Sequence, residues 1–78
     1  MSVINSSMTG VVIDEDVRHG KPIVKGTRIT VEEILGMLEA GLSFGEIEEE
    51  YGLSKEEIKA AIRYVSSFIE GEETGMYA

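Results

Sequence analysis

From Thr30 to Gly71 the chain reads TVEEILGMLEAGLSFGEIEEEYGLSKEEIKAAIRYVSSFIEG, and this stretch decides the fold. Thr30-Val31-Glu32-Glu33, Ser43-Phe44-Gly45-Glu46 and Ser54-Lys55-Glu56-Glu57 each set a hydroxyl residue three positions before a glutamate. That is the capping-box pattern. The hydroxyl accepts from the third amide of a helix while the glutamate reaches back to the capping amide. Each box is answered downstream by a glycine, namely Gly41, Gly52 and Gly71, suited to the left-handed backbone at which helices stop. The spacing predicts helices over 31–40, 44–51 and 55–70.

The apolar positions agree with that division. The first helix offers Val31, Ile34, Leu35 and Leu38 at i, i+3, i+4 and i+7, the stripe of a helix facing a core. The second offers Phe44, Ile47 and Tyr51, and the third Ile58, Ala61, Ile62, Val65 and Ile69. Leu42 and Leu53 are expected to plug the ends of the core. On this reading Tyr64 lies away from the core and Phe68 at its margin, where both could pack on a second chain. Connections as short as Glu39-Ala40-Gly41-Leu42 and Gly52-Leu53 force neighbouring helices to turn tightly on one another, a helix-turn-helix arrangement.

Upstream the signals are weaker. Residues 1–10, MSVINSSMTG, read as a flexible tail. Val11 to Ile13 followed by Asp14-Glu15-Asp16 reads as a short strand entering a polar turn. In Gly20-Lys21-Pro22-Ile23-Val24-Lys25-Gly26 two glycines bracket a brief extended segment whose start Pro22 sets by fixing its φ. Arg28-Ile29-Thr30 reads as a second extended piece. The expected architecture is therefore mostly α: a three-helix helix-turn-helix unit with a short extended β arm at its N-terminus. It occupies 11–71 as a single domain, with a C-terminal tail over 72–78.

A chain of 78 residues makes one domain and buries only about 60% of the surface its unfolded form exposes. With no cysteine it has neither a disulfide nor a thiolate zinc site as a staple, so helix packing or a partner chain must supply stability, and a homo-oligomer is expected. A composition of 42% hydrophobic and 28% charged residues is globular, and the longest apolar run is three residues, which excludes a membrane-spanning helix. The first ten residues lack the basic start and apolar stretch of a signal peptide, and the cytoplasm is the expected compartment.

The net charge of −8 is unevenly placed. Residues 1–31 set Arg18, Lys21, Lys25 and Arg28 against Asp14, Glu15 and Asp16 for +1, leaving −9 on residues 32–78. Such a chain repels nucleic acid at long range and attracts basic partners. Contact with DNA would need a local basic stripe, and Lys55, Lys59 and Arg63 supply one at i, i+4 and i+8 on the third helix. Three charges neutralise about three phosphates, which gives only weak, salt-sensitive binding by one chain. The alternative is a solvated face paired with the glutamates of the second helix. Those glutamates, of which Glu46, Glu49 and Glu50 are the candidate partner contacts, form a carboxylate row that a basic nuclease surface could recognise.

Catalysis finds little support. His19 stands near Asp14, Glu15 and Asp16, but a solvated acidic turn explains that grouping better than a metal site, because no fixed ligand spacing is present. Ser66 and Ser67 fall mid-helix without a base, and Gly20 to Gly26 fits neither the phosphate-loop nor the dinucleotide spacing. No enzyme activity, cofactor or small-molecule substrate is expected.

Gly20-Lys21-Pro22-Ile23-Val24-Lys25-Gly26-Thr27-Arg28-Ile29 resembles the Gly-x-Pro…Gly-Thr-Arg signature of the domain-of-unknown-function family 433. Ala40-Gly41-Leu42-Ser43, Glu46-Ile47 and a third helix starting near Ser54 fit the continuation, so the resemblance covers about residues 11–65. One departure is Tyr51-Gly52, where many members carry Tyr-Pro. The resemblance implies a homeodomain-like or winged-helix-like antitoxin-like protein, dimeric through its N-terminal extended segment and paired with a PIN-type nuclease toxin. Within the signature, Gly20, Pro22, Gly26, Thr27 and Arg28 are read as structural. Gly26 takes a positive φ, Thr27 satisfies the turn backbone, and Arg28 clamps Glu32 or a glutamate of the second helix. Arg28→Ala is then expected to lower stability more than partner binding. The leading functional expectation is neutralisation of a basic toxin with autoregulation through DNA. A stand-alone transcriptional regulator and a structural oligomerisation domain are the alternatives.

Overall fold

A computed structural model describes residues 3–5 and 10–77, with side-chain surroundings for 10–69. Three short strands precede three helices: β1 (Val3–Asn5), β2 (Val11–Asp14), β3 (Pro22–Val24), α1 (Val31–Glu39), α2 (Phe44–Tyr51) and α3 (Lys55–Tyr77). The strands form one antiparallel sheet in the order β1-β2-β3.

All three capping boxes are formed. The Thr30, Ser43 and Ser54 hydroxyls accept from the amides of Glu33, Glu46 and Glu57 at 2.9, 3.1 and 3.1 Å. The three glutamates return the bond to the capping amides at 2.9, 2.7 and 2.8 Å. Gly41 and Gly52 adopt φ of 99° and 70°, so α1 and α2 end where the glycines allow the left-handed turn.

Gly71 acts differently: α3 runs through it to Tyr77, past the expected stop at residue 70 and into the expected 72–78 tail. A glycine ends a helix when the following chain must turn to pack. Glycine permits the left-handed stop without enforcing it, and Gly71 stays within α3.

The N-terminal tail is also more structured than expected, since Val3–Asn5 pairs with β2 in the register Val3↔Asp14, Ile4↔Ile13 and Asn5↔Val12. Two β-branched residues give this piece strand propensity despite its Ser- and Asn-rich surroundings. The other residues of the 1–10 tail, apart from Gly10, lie outside the described ones.

In β2 and β3 the register sets Val11 against Val24 and Val12 against Ile23, and successive pairs face opposite sides of the sheet. Val11 and Val24 join Val31, Ile34, Ile47, Leu53, Ile58, Ala60, Ala61 and Tyr64 in the core shared by sheet and helices. Of the two expected core plugs, Leu53 is buried and Leu42 half-buried against the same cluster.

Two faces turn out differently from the periodicity reading. Tyr64 is buried, at 9% exposure, whereas Ile69 is half-exposed and Phe68 lies open at 57%, with its ring edge-on to Tyr64 at 5.0 Å. Six of the eight residues from Ile58 to Val65 are apolar, so the stripe is too broad for spacing alone to choose the buried side. The choice falls to the strands and to Gly10, which sits against Ala60. Tyr51, expected in the core of α2, is 45% exposed.

Candidate functional site

The loop from Asp14 to Arg28 is built around two left-handed residues that are not glycine, Arg18 (φ 52°) and His19 (φ 60°). Each costs roughly 1–3 kcal/mol, so something must hold them. The Arg18 guanidinium does so. Its Nη1 donates to the Arg28 carbonyl at 2.9 Å and to Glu33 Oε1 at 3.1 Å, and its Nη2 donates to Glu33 Oε2 at 3.0 Å. These hydrogen bonds, followed by the Thr30 amide, hold the Glu33 carboxyl below the usual glutamate range, and the same pairing raises Arg18. Thus the carboxylate clamp expected of Arg28 is made by Arg18, and Glu32 pairs with Lys21 at 3.1 Å. No signal in the sequence singled out Arg18, because its partner is fifteen residues away and is reached only through the left-handed turn.

The rest of the signature behaves as a turn. Pro22 opens β3. Gly20 and Gly26 take φ of 79° and 82°. Thr27 Oγ1 donates to the Val24 carbonyl at 2.9 Å and accepts from the Ile29 amide at 3.0 Å. Arg28 is exposed, and its side chain makes no hydrogen bond or ion pair among the described residues.

Lys55, Lys59 and Arg63 all stand exposed along α3. They do not pair with α2, because the ion pairs among the described residues are Arg18–Glu33 and Lys21–Glu32. Arg63 shares a shallow depression of about 220 Å³ with Gly10, Glu56, Glu57 and Ala60. Glu46, Glu49 and Glu50 are exposed on α2, and Glu46 is also committed to its cap. Glu48 and Glu49 face Glu57 of α3 across a depression of about 520 Å³ floored by Gly52 and Leu53. None of the glutamates of this acidic crest makes an ion pair among the described residues. His19 is exposed, and no group of three His, Asp or Glu side chains able to hold a metal is found among the described residues. No helix there is long and apolar enough to cross a membrane.

Residues 11–65 match the family described as "Protein of unknown function (DUF433)". The chain belongs to the DUF433 family. A second similarity is to "Putative antitoxin VapB45" of Mycobacterium tuberculosis (strain ATCC 25618 / H37Rv), 28% identical over 57 residues, which are 73% of this chain and 24% of that protein. The crystal structure of Rv2018 from Mycobacterium tuberculosis superposes with a TM-score of 0.60 at 31% identity, covering 67% of this chain and 24% of that one. This DUF433 chain therefore spans about a quarter of the length of the relatives it matches, 24% in both cases.

Proposed function

We propose that this DUF433 protein is a non-enzymatic, cytoplasmic antitoxin module that neutralises a basic, PIN-type nuclease toxin and contributes to repression of its own operon. The observation that carries this reading is the acidic crest of α2 and the start of α3, on a chain similar to a protein named as an antitoxin. A basic toxin surface meets there a row of carboxylates spaced along a helix, which steers encounter and fixes register. Glu49 and Glu50 are the principal contacts, with Glu46 adding charge from within its cap.

The DNA-facing element in this reading is α3, joined to α2 through Gly52-Leu53-Ser54 as the second helix of a homeodomain-like or winged-helix-like unit. Lys55, Lys59 and Arg63 contact phosphates. One subunit brings too little positive charge for strong binding, so DNA contact requires a homodimer or the toxin complex. The exposure of these three cations without internal partners favours, as a second reading, a stand-alone transcriptional regulator.

Two charge-reversal pairs separate the readings. The antitoxin reading expects Glu49→Lys with Glu50→Lys to abolish co-purification of a basic nuclease from nuclease-treated lysate, while Lys59→Glu with Arg63→Glu spares it and weakens operator binding. Retention of the nuclease by the first pair overturns the proposal. If native chain captures only DNA, released as salt rises, the regulator reading replaces it.

A further inference from the structure

Phe68 continues the side of α3 that faces the core. Ala61 and Tyr64 are buried, and Phe68 follows Tyr64 by four residues on the same side of the helix. Yet Phe68 is 57% exposed, with its ring edge-on to Tyr64 at 5.0 Å. The core-facing stripe of α3 therefore outruns the elements of its own domain. Phe68 lines a groove of about 290 Å³ together with Pro22 at the start of β3, Val31 and Leu35 of α1, and Val65 of α3.

The charges at this groove are Lys21 and Glu32, one of each sign, paired at 3.1 Å with both side chains more than half exposed. Three other depressions among the described residues each carry a net charge. The cleft of about 660 Å³ between Arg28 and Tyr51 sets Arg18 and Arg28 against Glu33. The one beside Gly52 holds Glu48, Glu49 and Glu57, and the one beside Gly10 sets Arg63 against Glu56 and Glu57. Of the four, the Phe68 groove is the neutral one.

Charge decides the occupant. The chain carries −8, so two copies repel one another unless they meet on a face free of net charge. A basic partner is drawn instead to the glutamates of α2, and a phosphate backbone finds no unpaired cation at this groove. The Lys21–Glu32 pair is also self-complementary. A two-fold axis beside the groove sets Lys21 of each copy against Glu32 of the other, which is what an isologous contact requires. Shape agrees with charge, because an aromatic knob and an apolar hole stand side by side on one face.

We propose that this groove is the face through which two copies of the chain associate, with Phe68 of each seated in the groove of the other and the Lys21–Glu32 pairs exchanged between copies. The proposal names a surface for the homodimer that DNA contact calls for in the functional reading above. Its test uses neither toxin nor operator, so the two can fail separately.

The test is sedimentation equilibrium of the full chain over a wide range of concentration, with thermal unfolding alongside. Phe68→Ser is expected to weaken the dimer about ten-fold and to leave the melting temperature of the dilute chain unchanged. Lys21→Glu and Glu32→Lys should each weaken it about five-fold, since each sets like charges against one another twice across the axis. Mixed together, the two charge variants should pair with each other at close to native strength, because every exchanged contact then joins opposite signs. A role confined to the single chain would produce no such recovery. A native chain that stays monomeric throughout overturns the proposal. So does a dimer that Phe68→Ser leaves intact, which puts the contact elsewhere, or a pair of charge variants that fails to recover on mixing. A lowered melting temperature for dilute Phe68→Ser overturns it too, by assigning the ring to its own chain's core.

Discussion

The carboxylate of Glu33 receives both terminal nitrogens of Arg18, at 3.1 and 3.0 Å, while one of its oxygens also caps α1 through the Thr30 amide. One side chain thereby fixes a strained loop to the start of a helix. Because the Glu33 pKa is held down in the folded protein, its contribution is present above the unfolded value of about 4.3 and is lost as pH falls through the lower folded value. Glu33→Gln keeps a capping amide and removes the charge. Thermal unfolding is expected to show the variant less stable than the native chain at pH 7, with the difference shrinking as pH falls below the unfolded value. A difference independent of pH would refute the linkage.

Gly10 packs where a Cβ would stand 2.9 Å from Ala60 Cβ, and its φ is +96°. Gly10→Ala combines a left-handed backbone penalty with overpacking, together about 2–4 kcal/mol. Adding Ala60→Gly relieves the contact and leaves the φ penalty. Urea unfolding of the two single variants and the double should reveal partial recovery in the double.

Thr30 is 2% exposed, and its hydroxyl oxygen accepts from the Glu33 amide in the α1 cap. Thr30→Val keeps the shape and strands the Glu33 amide. The expected loss is about 1–2 kcal/mol, measured by chemical denaturation, and Thr30→Ser should lose clearly less.

The corrected face of α2 gives a contrast within one helix. Ile47 is fully buried and Tyr51 is 45% exposed. Ile47→Ala should cost about 2–5 kcal/mol, whereas Tyr51→Ala should stay within about 0.5 kcal/mol. Comparable losses at both positions in calorimetry would restore Tyr51 to the core.

The helical half of the fold was legible because its determinants are local. Thr30, Ser43 and Ser54 each need only a glutamate three residues on, and Gly41 and Gly52 act on their own φ. Tyr64 was placed outside the core because the apolar stripe of α3 from Ile58 to Val65 is broad and leaves the buried side to its packing partners, among them Gly10. The Arg18–Glu33 clamp depends on backbone geometry at Arg18 and His19 that no residue type there announces. Of the surfaces, the charges of the crest and stripe could be read as residue types at helical spacing. That Lys55, Lys59 and Arg63 stand clear of the α2 glutamates, and that Arg28 borders a cleft with Tyr51, needed the three-dimensional arrangement.

Thr30 belongs to two structures at once, since it bridges to Ile23 at the margin of the sheet and caps the first turn of α1. Neither can dissolve alone without stripping the other of a boundary residue. The sheet, too small to persist by itself, and a nine-residue helix, too short to persist in water, thus share one cooperative opening event. Their amides should exchange with solvent on a common timescale, as parts of a single unfolding unit.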